Sequence, residues 1–530
     1  MAARDEPSLI QALQDPSLYP HPVSGFEVIE THISWVLLTG TCAYKIRKPV
    51  DLGFLDFTSL ERRRHFCEEE LRLNRRLAPD LYLELVRITG SAQSPNLDGP
   101  GPVIEYAVKM RQFDPSLRFD RLLATGRLDA RLISELAATL ARFHERAQPA
   151  RPDDPWGDAE SIMEPARDNF IALTLPDTLA AERLRLERLA MRLEEDWERL
   201  EAVCARRKSS GRIRECHGDL HLANVTLYEG KATPFDCLEF DPALRWIDVI
   251  SEIAFLAMDL DAHGRPDLTC VMLNEYLHHS GDYEGLALLR FYQCYRAMVR
   301  AKVECIRARQ RGEITAAGYR EVLGYVRLAE TYARERRGAV VITHGLSGSG
   351  KTTLGGQLLA QCRLIRIRSD VERKRLAGYA PQARTQSGIS GGIYTPQASE
   401  RTYRRLEELT GIMAAAGFNV LVDATFLRRT QRDAFRLLAA RLRVPFVILH
   451  FEAGEETLRE RVRERGRAGT DASEADLEVL AHQLASQEPL TPGELSSTIW
   501  IDAGDTPDMD ALGLELMHRI GGYPEPDFGQ

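Results

Sequence analysis

The sequence predicts a multidomain protein, an α+β part followed by an α/β part, and three observations carry that expectation. Its 530 residues exceed the ~100 to 200 typical of one domain, so two or three domains are expected. The first third alternates β-branched and aromatic runs with glycine turns, then yields to long stretches with apolar residues every three or four positions. From Gly338 the pattern becomes strand, glycine-rich turn and helix, and this βα alternation continues to the end.

Composition removes several classes. With 44% hydrophobic and 28% charged residues the chain can build more than one core, which excludes a largely disordered protein. A formal net charge of -9 argues against nucleic-acid binding by the surface as a whole and leaves only local basic grooves. Nine cysteines, an odd number with no CxxC pair, exclude a disulfide framework or a zinc site. No apolar core of a signal peptide follows Met1, and nowhere do about 18 apolar residues run together, so no membrane association and a cytoplasmic location are expected.

Strands are expected at 26–29, 33–38 and 43–46, with Gly40 as a hairpin turn. Residues 60–77 read as a helix that Pro79 ends. Strands at 82–89 and 103–110 flank a Pro/Gly-rich surface loop, 91–102. Helical periodicity marks 132–147 and 179–203, and again from Arg245 to about Arg336 with breaks near Gly264 and Gly281. The domain boundary falls near 337: residues 1–337 form one domain, with a strand-rich lobe at about 25–113 and a helical lobe at about 114–337, and 338–530 form a second. The Gly-, Ser- and Gln-rich stretch 380–396 reads as a loop.

Two constellations carry chemistry. In His217-Gly218-Asp219-Leu220-His221-Leu222-Ala223-Asn224 an Asp and an Asn stand five apart, the D-x-x-x-x-N spacing of a kinase catalytic loop. Phosphoryl transfer needs a carboxylate to orient and accept the acceptor hydroxyl proton, here Asp219, and an amide oxygen to hold a metal, here Asn224. Asp236, at the end of a short strand, supplies a second hard oxygen ligand for magnesium. The competing reading is a polar turn in which Asp236 and Asp241 cap loops.

These residues, with Phe235-Asp236 and Trp246-Ile247-Asp248, resemble the aminoglycoside phosphotransferase family, small-molecule relatives of protein kinases, over roughly residues 25–330. The resemblance implies a bilobal protein-kinase-like fold with ATP between the lobes. It implies that Lys45 in Ala43-Tyr44-Lys45-Ile46 grips phosphate, that Glu70 (or Glu69) is its ion-pair partner, and that 105–113 holds adenine. Two departures stand out: residues 38–44 contain only Gly40, and Cys237-Leu238 replaces Phe-Gly after Asp236. Tyr292, Arg296 and Arg300 share one face of a helix at 286–309, a solvated basic face in the favoured reading and an anion site in the other.

The second constellation, Gly345-Leu346-Ser347-Gly348-Ser349-Gly350-Lys351-Thr352, followed by Thr353, fits G-x-x-x-x-G-K-[ST] between an expected strand and helix. Backbone N–H groups of Gly345, Ser347, Gly348, Ser349 and Gly350 converge on phosphate, Lys351 neutralises the β and γ phosphates, and Thr352 completes a magnesium shell. Asp370 follows an expected strand at 364–367, with Arg373 three further, and either orients an acceptor hydroxyl or caps the next helix. Asp423 ends a strand at 419–422 and either binds magnesium or caps a helix, with Arg432 beyond it. Arg459, Arg461, Arg463, Arg465 and Arg467 form a lid or an ion-paired helix. This half resembles the P-loop kinases typified by gluconate kinase, polynucleotide kinase and zeta toxins, which implies Asp370 as the acceptor-activating carboxylate and Arg463 or Arg467 as lid arginines.

The expected function is a bifunctional phosphotransferase using Mg2+ and ATP or GTP, each domain phosphorylating a hydroxyl of a small molecule. The alternatives are a polynucleotide 5'-hydroxyl kinase in the second half, with nucleic acid as partner, and a first half that binds nucleotide without turnover and regulates the second.

Overall fold

The structure is a computed structural model that describes residues 8–51, 53, 55–312, 315, 317–381, 383, 392–468 and 475–521. The chain divides into two compact units: Met1–Leu136, Phe143–Ser161 and Arg207–Leu256 form the first, and Ala137–Arg142, Ile162–Arg206 and Ala257–Gln530 the second. This partition does not follow the sequence boundary at 337, because residues 257–336 pack with the C-terminal part. Most of loop 380–396 lies outside the described residues.

Up to residue 248 the strands are β1 (Glu27–Glu30), β2 (Ser34–Leu38), β3 (Cys42–Arg47), β4 (Tyr82–Ser91), β5 (Ser94–Leu97), β6 (Val103–Arg111), β7 (Ile213–Glu215), β8 (Val225–Tyr228), β9 (Lys231–Pro234) and β10 (Trp246–Asp248). The first six form an antiparallel sheet in the order β1-β2-β3-β6-β4-β5. The stretch 91–102 is therefore not wholly loop: β5 pairs back onto β4 through Ser91 and Ser94. Helices over the same span are α1 (Ser8–Ala12), α2 (Leu60–Asn74), α3 (Phe119–Ala124), α4 (Ala130–Arg146), α5 (Ala159–Ala172) and α6 (Ala180–Ser209). Helix α2 starts where the Ser59 hydroxyl accepts the Arg62 N–H at 3.2 Å, an N-cap that satisfies an otherwise orphaned donor. One face of α2 carries Cys67 and Leu71 into a core with Leu81, Tyr82 and Val108, and that packing aims Glu70 inward.

Beyond β10 come α7 (Val249–Ala262), α8 (Pro266–Ser280), α9 (Leu286–Gln310) and α10 (Arg320–Ala333). Gly264 and Gly281 take left-handed φ of 70° and 67° where the sequence expected breaks, and a glycine at such a position avoids the Cβ penalty. The expected solvated basic face of α9 is corrected: Tyr292 and Arg296 are buried, and Arg300 lies over the Tyr325 ring and beside Glu304. Over residues 286–305 no residue of α9 is exposed, so arginine spacing alone does not report solvent.

The C-terminal strands are β11 (Ala339–His344), β12 (Leu364–Arg368), β13 (Asn419–Asp423), β14 (Phe446–Glu452) and β15 (Thr498–Asp502). They form a wholly parallel sheet in the order β12-β13-β11-β14-β15. Every residue of β11 and β13 is buried, as expected of parallel strands covered on both faces. The helices are α11 (Lys351–Gln361), α12 (Ser369–Leu376), α13 (Pro396–Ala415), α14 (Arg429–Leu442), α15 (Glu455–Ala468), α16 (Leu477–Ser486), α17 (Pro492–Leu495) and α18 (Met509–Arg519). Val341, Leu421, Leu449 and Ile501 of the sheet pack against Leu358, Leu512 and Leu516.

Strand β12 lies at the sheet edge and would expose backbone donors and acceptors there. Helix α8 closes that edge. Asn274 donates to the Leu364 carbonyl and accepts the Arg366 N–H, both at 2.8 Å, while the Tyr283 hydroxyl donates to the Arg366 carbonyl at 3.3 Å. On the α13 side, Arg290 reaches the Gly417 carbonyl at 2.7 Å and covers the Phe418 ring. Asn274→Ala removes two partners of the edge backbone. It is expected to cost about 2 kcal/mol and lower the unfolding midpoint by roughly 2 to 4 °C, read by scanning calorimetry.

Candidate active sites

In the first unit, alternation along β3 sends Lys45 and Arg47 to the same face. Lys45 Nζ lies 2.7 Å from Glu70 Oε1 and 2.6 Å from Asp236 Oδ1. Glu70, not Glu69, is thus the partner; Glu69 pairs with Arg72 on the outer side of α2. Lys48 pairs with Glu30 instead. Arg47 Nη2 contacts Glu70 Oε2 and lies 2.5 Å from Glu239 Oε1. Arg47 and Glu70 are fully buried, whereas the Asp236 side chain is 44% exposed. Two cations and three carboxylates therefore share one cluster, of which the sequence singled out Lys45, Glu70 and Asp236. The lysine-to-arginine alternation was the available sign of Arg47. Glu239 is held by Arg47.

The loop expected to be catalytic is held by side-chain acceptors on its backbone. Glu252 of α7 accepts the N–H groups of His217 and Gly218 on Oε1, at 2.6 and 2.9 Å, and bonds His144 Nε2 through Oε2 at 2.7 Å. His217 Nε2 meets the Phe235 carbonyl at 2.9 Å, and the Phe235 N–H donates to the Asn224 carbonyl at 2.9 Å, which ties the loop to the segment bearing Asp236. Asn224 Nδ2 donates to Asp219 Oδ2 at 3.0 Å, so the expected base and the expected metal ligand are adjacent. Asp236 adopts φ of 63°, a left-handed conformation that Asp tolerates better than most residues, and its N–H donates to the Tyr82 hydroxyl at 3.0 Å. Asp248 is structural: its carboxylate takes Arg207 at 2.6 and 2.7 Å. Phe113, at the expected adenine-holding segment, packs edge-on to Phe235 with ring centroids 5.0 Å apart.

Charge compensation sets the protonation states. Burial favours neutral Lys45, but the Asp236 and Glu70 carboxylates outweigh it and raise its pKa. Burial likewise favours protonated Asp236, and the Lys45 ammonium overrides it, holding the carboxyl below its usual value. Glu239 is raised, its burial prevailing over Arg47.

In the second unit the motif residues Gly345, Ser347, Gly348, Ser349, Gly350, Lys351, Thr352 and Thr353 span the turn from β11 into α11, the context the motif requires. Gly348 and Gly350 take φ of 86° and 84°. A Cβ on Gly348 would come within 2.8 Å of the Leu458 carbonyl, so α15 lies directly against the loop. Lys351 Nζ donates to the Leu346 carbonyl at 2.6 Å, and the Thr352 hydroxyl donates to Asp423 Oδ2 at 2.9 Å. Burial lowers the Lys351 pKa to about 8, an effect that Asp423 opposes and Arg465 reinforces. The Ser347 N–H donates to Gln483 Oε1 of α16 at 2.9 Å.

A cavity of about 1070 Å³ opens over this loop. Lys351, Thr352, Asp370, Arg373 and Asp423 all line it. Asp370 is not a helix cap, since the cap position of α12 is Arg368 and no side chain caps it. Asp423 is no cap either, as α14 begins after Arg428. Arg432 points away from the cavity, buried against Glu494 at 2.6 Å. The expected lid arginines are corrected in phase. Arg463 and Arg467 are exposed and do not line the cavity, whereas Arg461 and Arg465 do. These pairs lie four apart on α15, so choosing one pair excludes the other, and the packing of Leu458 and Val462 on the loop decides which faces in. Arg461 and Arg465 donate to the carbonyls of Ala503 and Ala475, each at 2.8 Å, and neither has a carboxylate partner among the described residues.

Both sites fit a hard divalent cation in donor chemistry, with amide, hydroxyl and carboxylate oxygens from Asn224 and Asp236 in one and from Thr352 and Asp423 in the other. Ligand atoms of His144, Cys216 and Glu252 also lie within 4.8 Å of one another, but both Glu252 oxygens are already engaged. Among the described residues no helix is long and apolar enough to cross a membrane.

Comparisons with known proteins match two separate stretches of the chain, the first of which includes residues of both compact units. A family model described as "Phosphotransferase enzyme family" matches residues 62–289, and one described as "AAA domain" matches 340–490. Among solved structures, a sugar kinase from Janibacter sp. HTCC2649 is 22% identical, covering 37% of this chain and 99% of its own, with a TM-score of 0.27. A choline/ethanolamine kinase family protein from Mesorhizobium loti is 10% identical, covering 62% of this chain and 94% of its own, with a TM-score of 0.37. The proteins named "Uncharacterized protein Rv2004c" of Mycobacterium tuberculosis and "Uncharacterized protein Mb2027c" of Mycobacterium bovis are each 30% identical over 456 residues, 86% of this chain and 89% of theirs. The chain belongs to the family of these mycobacterial proteins, and it is a kinase in which a phosphotransferase-family domain precedes an AAA-type P-loop domain.

Proposed function

We propose that the protein is a bifunctional phosphotransferase, each domain moving the γ-phosphate of ATP or GTP to a hydroxyl of a small molecule. The observation that carries this reading is that each unit gathers a largely buried lysine, a carboxylate and an oxygen donor set. In the first they are Lys45, Asp219 and the pair Asn224 and Asp236; in the second they are Lys351, Asp370 and the pair Thr352 and Asp423.

In the first site Asp219 accepts the proton of the acceptor hydroxyl, and the hydrogen bond from Asn224 helps hold its carboxylate in place. Lys45 neutralises donor phosphate while Glu70 and Arg47 hold it in place. In the second site Lys351 leaves the Leu346 carbonyl for phosphate, Asp370 orients the acceptor hydroxyl, and Arg461 and Arg465 meet the charge that spreads over the transferring group. Asn224 and Asp236 in the first site, and Thr352 and Asp423 in the second, would hold magnesium, which would supply neutralisation of donor phosphate charge. A cavity of about 1070 Å³ suits a nucleotide together with a small acceptor, which favours metabolites over polynucleotides.

Asp219→Ala is expected to lower turnover of the first-site acceptor by about 10²- to 10⁴-fold and to spare the second activity, while Lys351→Ala does the reverse. Steady-state assays of phosphoryl transfer on an acceptor panel check this, and two variants without effect on any acceptor would reject the assignments.

Lys351 gives a pH signature. Phosphate binding stabilises its ammonium and raises its pKa above the ligand-free value of about 8. Donor affinity at this site is therefore fully present below pH 8 and falls above it, by about tenfold per pH unit until the bound-state pKa is reached. The KM for nucleotide of the Lys351-dependent activity, measured from pH 7 to 10, checks the sign.

A further inference from the structure

Helix α16 holds the phosphate-binding loop at two points. Leu346, the second residue of the loop motif, packs on a cluster of Leu458, Val462 and Leu480, to which Leu484 also belongs. One turn of helix away, Gln483 Oε1 accepts the Ser347 N–H at 2.9 Å. Ser347 is 7% exposed, and Val479, His482, Gln483 and Ser486 all line the cavity above the loop. The Gln483 amide therefore stands on an N–H of the one segment whose backbone donors serve phosphate oxygens.

We propose that Gln483 is a specificity-determining residue that reads the donor phosphates, its amide exchanging from acceptor of the Ser347 N–H to donor toward the phosphate oxygen that takes that N–H. This rests on the P-loop kinase reading above.

A phosphate oxygen is anionic, and a charge-assisted hydrogen bond is about twice as strong as the neutral one Gln483 now makes, so the phosphate wins the N–H. The displaced amide need not leave. Its terminal torsion joins an sp3 to an sp2 carbon and is broad and nearly two-fold, so a half-turn replaces Oε1 by the NH2 group at little cost. The same side chain then donates to the oxygen that displaced it. An amide can play both parts, whereas a carboxylate of the same shape accepts the N–H more strongly and repels phosphate, and an apolar side chain does neither. Lys351 makes a parallel exchange, since it sits on the Leu346 carbonyl at 2.6 Å. The two adjacent loop residues Leu346 and Ser347 thus give their polar backbone groups to Lys351 and Gln483, and phosphate arrival releases both.

Hydrogen exchange on the full chain tests this, because the backbone peptide containing Ser347 reports on this site alone. The chain is titrated with magnesium and the non-hydrolysable β,γ-imido analogue of ATP, and protection of that peptide is followed. Gln483→Glu is expected to raise the half-saturating concentration about tenfold or more. Gln483→Ala is expected to raise it only about two- to fivefold, and scanning calorimetry of both variants checks that each is folded at the titration temperature. Equal half-saturation in wild type and Gln483→Glu, or equal weakening by Glu and Ala, overturns the inference while leaving the kinase reading intact. A wild-type peptide that the nucleotide does not protect overturns that reading, and this inference with it.

Discussion

Every feature of the two sites answers one constraint: an ammonium group must be kept out of water where phosphate will arrive, and burial disfavours its charge. The first unit answers with counter-charges. Glu70 and Asp236 flank Lys45, and Arg47 and Glu239 extend the cluster so that each buried charge has an opposite neighbour. The second unit answers differently. Among the described residues Lys351 donates to a loop carbonyl and a serine hydroxyl, and its pKa falls to about 8. One lysine is pre-oriented by carboxylates; the other holds its proton less tightly until phosphate arrives.

The same economy governs the backbone. A loop that must present side chains to a ligand cannot also satisfy its own N–H groups with a regular ladder. Glu252 takes two such groups of the Asp219 loop, Asn74 takes the Cys237 N–H at 2.8 Å, and Gln483 takes that of Ser347. Asn274 performs a similar service at the edge of the parallel sheet, two strand positions from the helix that bears Asp370. Side chains distant in sequence thereby fix the positions of segments whose own residues read as catalytic.

How far the sequence could be read depended on whether a residue's partner was local. The P-loop and the Asp219-to-Asn224 spacing are local, because phosphate cradles and base-plus-ligand loops need fixed separations along one short segment. Lys45 with Glu70 came from the family resemblance, which left Glu69 as an alternative, and the structure pairs Lys45 with Glu70. Arg47 was half-legible, since its alternation with Lys45 gave the face and nothing gave Glu239 as its partner. The lid arginines failed by half a helical repeat: five arginines at alternate positions supply every phase of a helix, so only packing could choose Arg461 and Arg465. The basic face of α9 failed likewise, because arginine on an amphipathic pattern looks the same whether a neighbouring helix covers it or water does.

The sequence by itself determined the order of the two architectures, the parallel βα character of the second and the two contiguous motifs at 217–224 and 345–352, because those depend on periodicity and on fixed spacing. Only the tertiary structure decided which face of α15 meets the cavity, that Asn274 and the helices of residues 257–336 complete the edge of the parallel sheet, and that Gln483 stands on the P-loop. Those outcomes depend on contacts between segments up to about 140 residues apart, as from Ser347 to Gln483, and on the competition among buried groups for a limited set of partners, which no local pattern encodes.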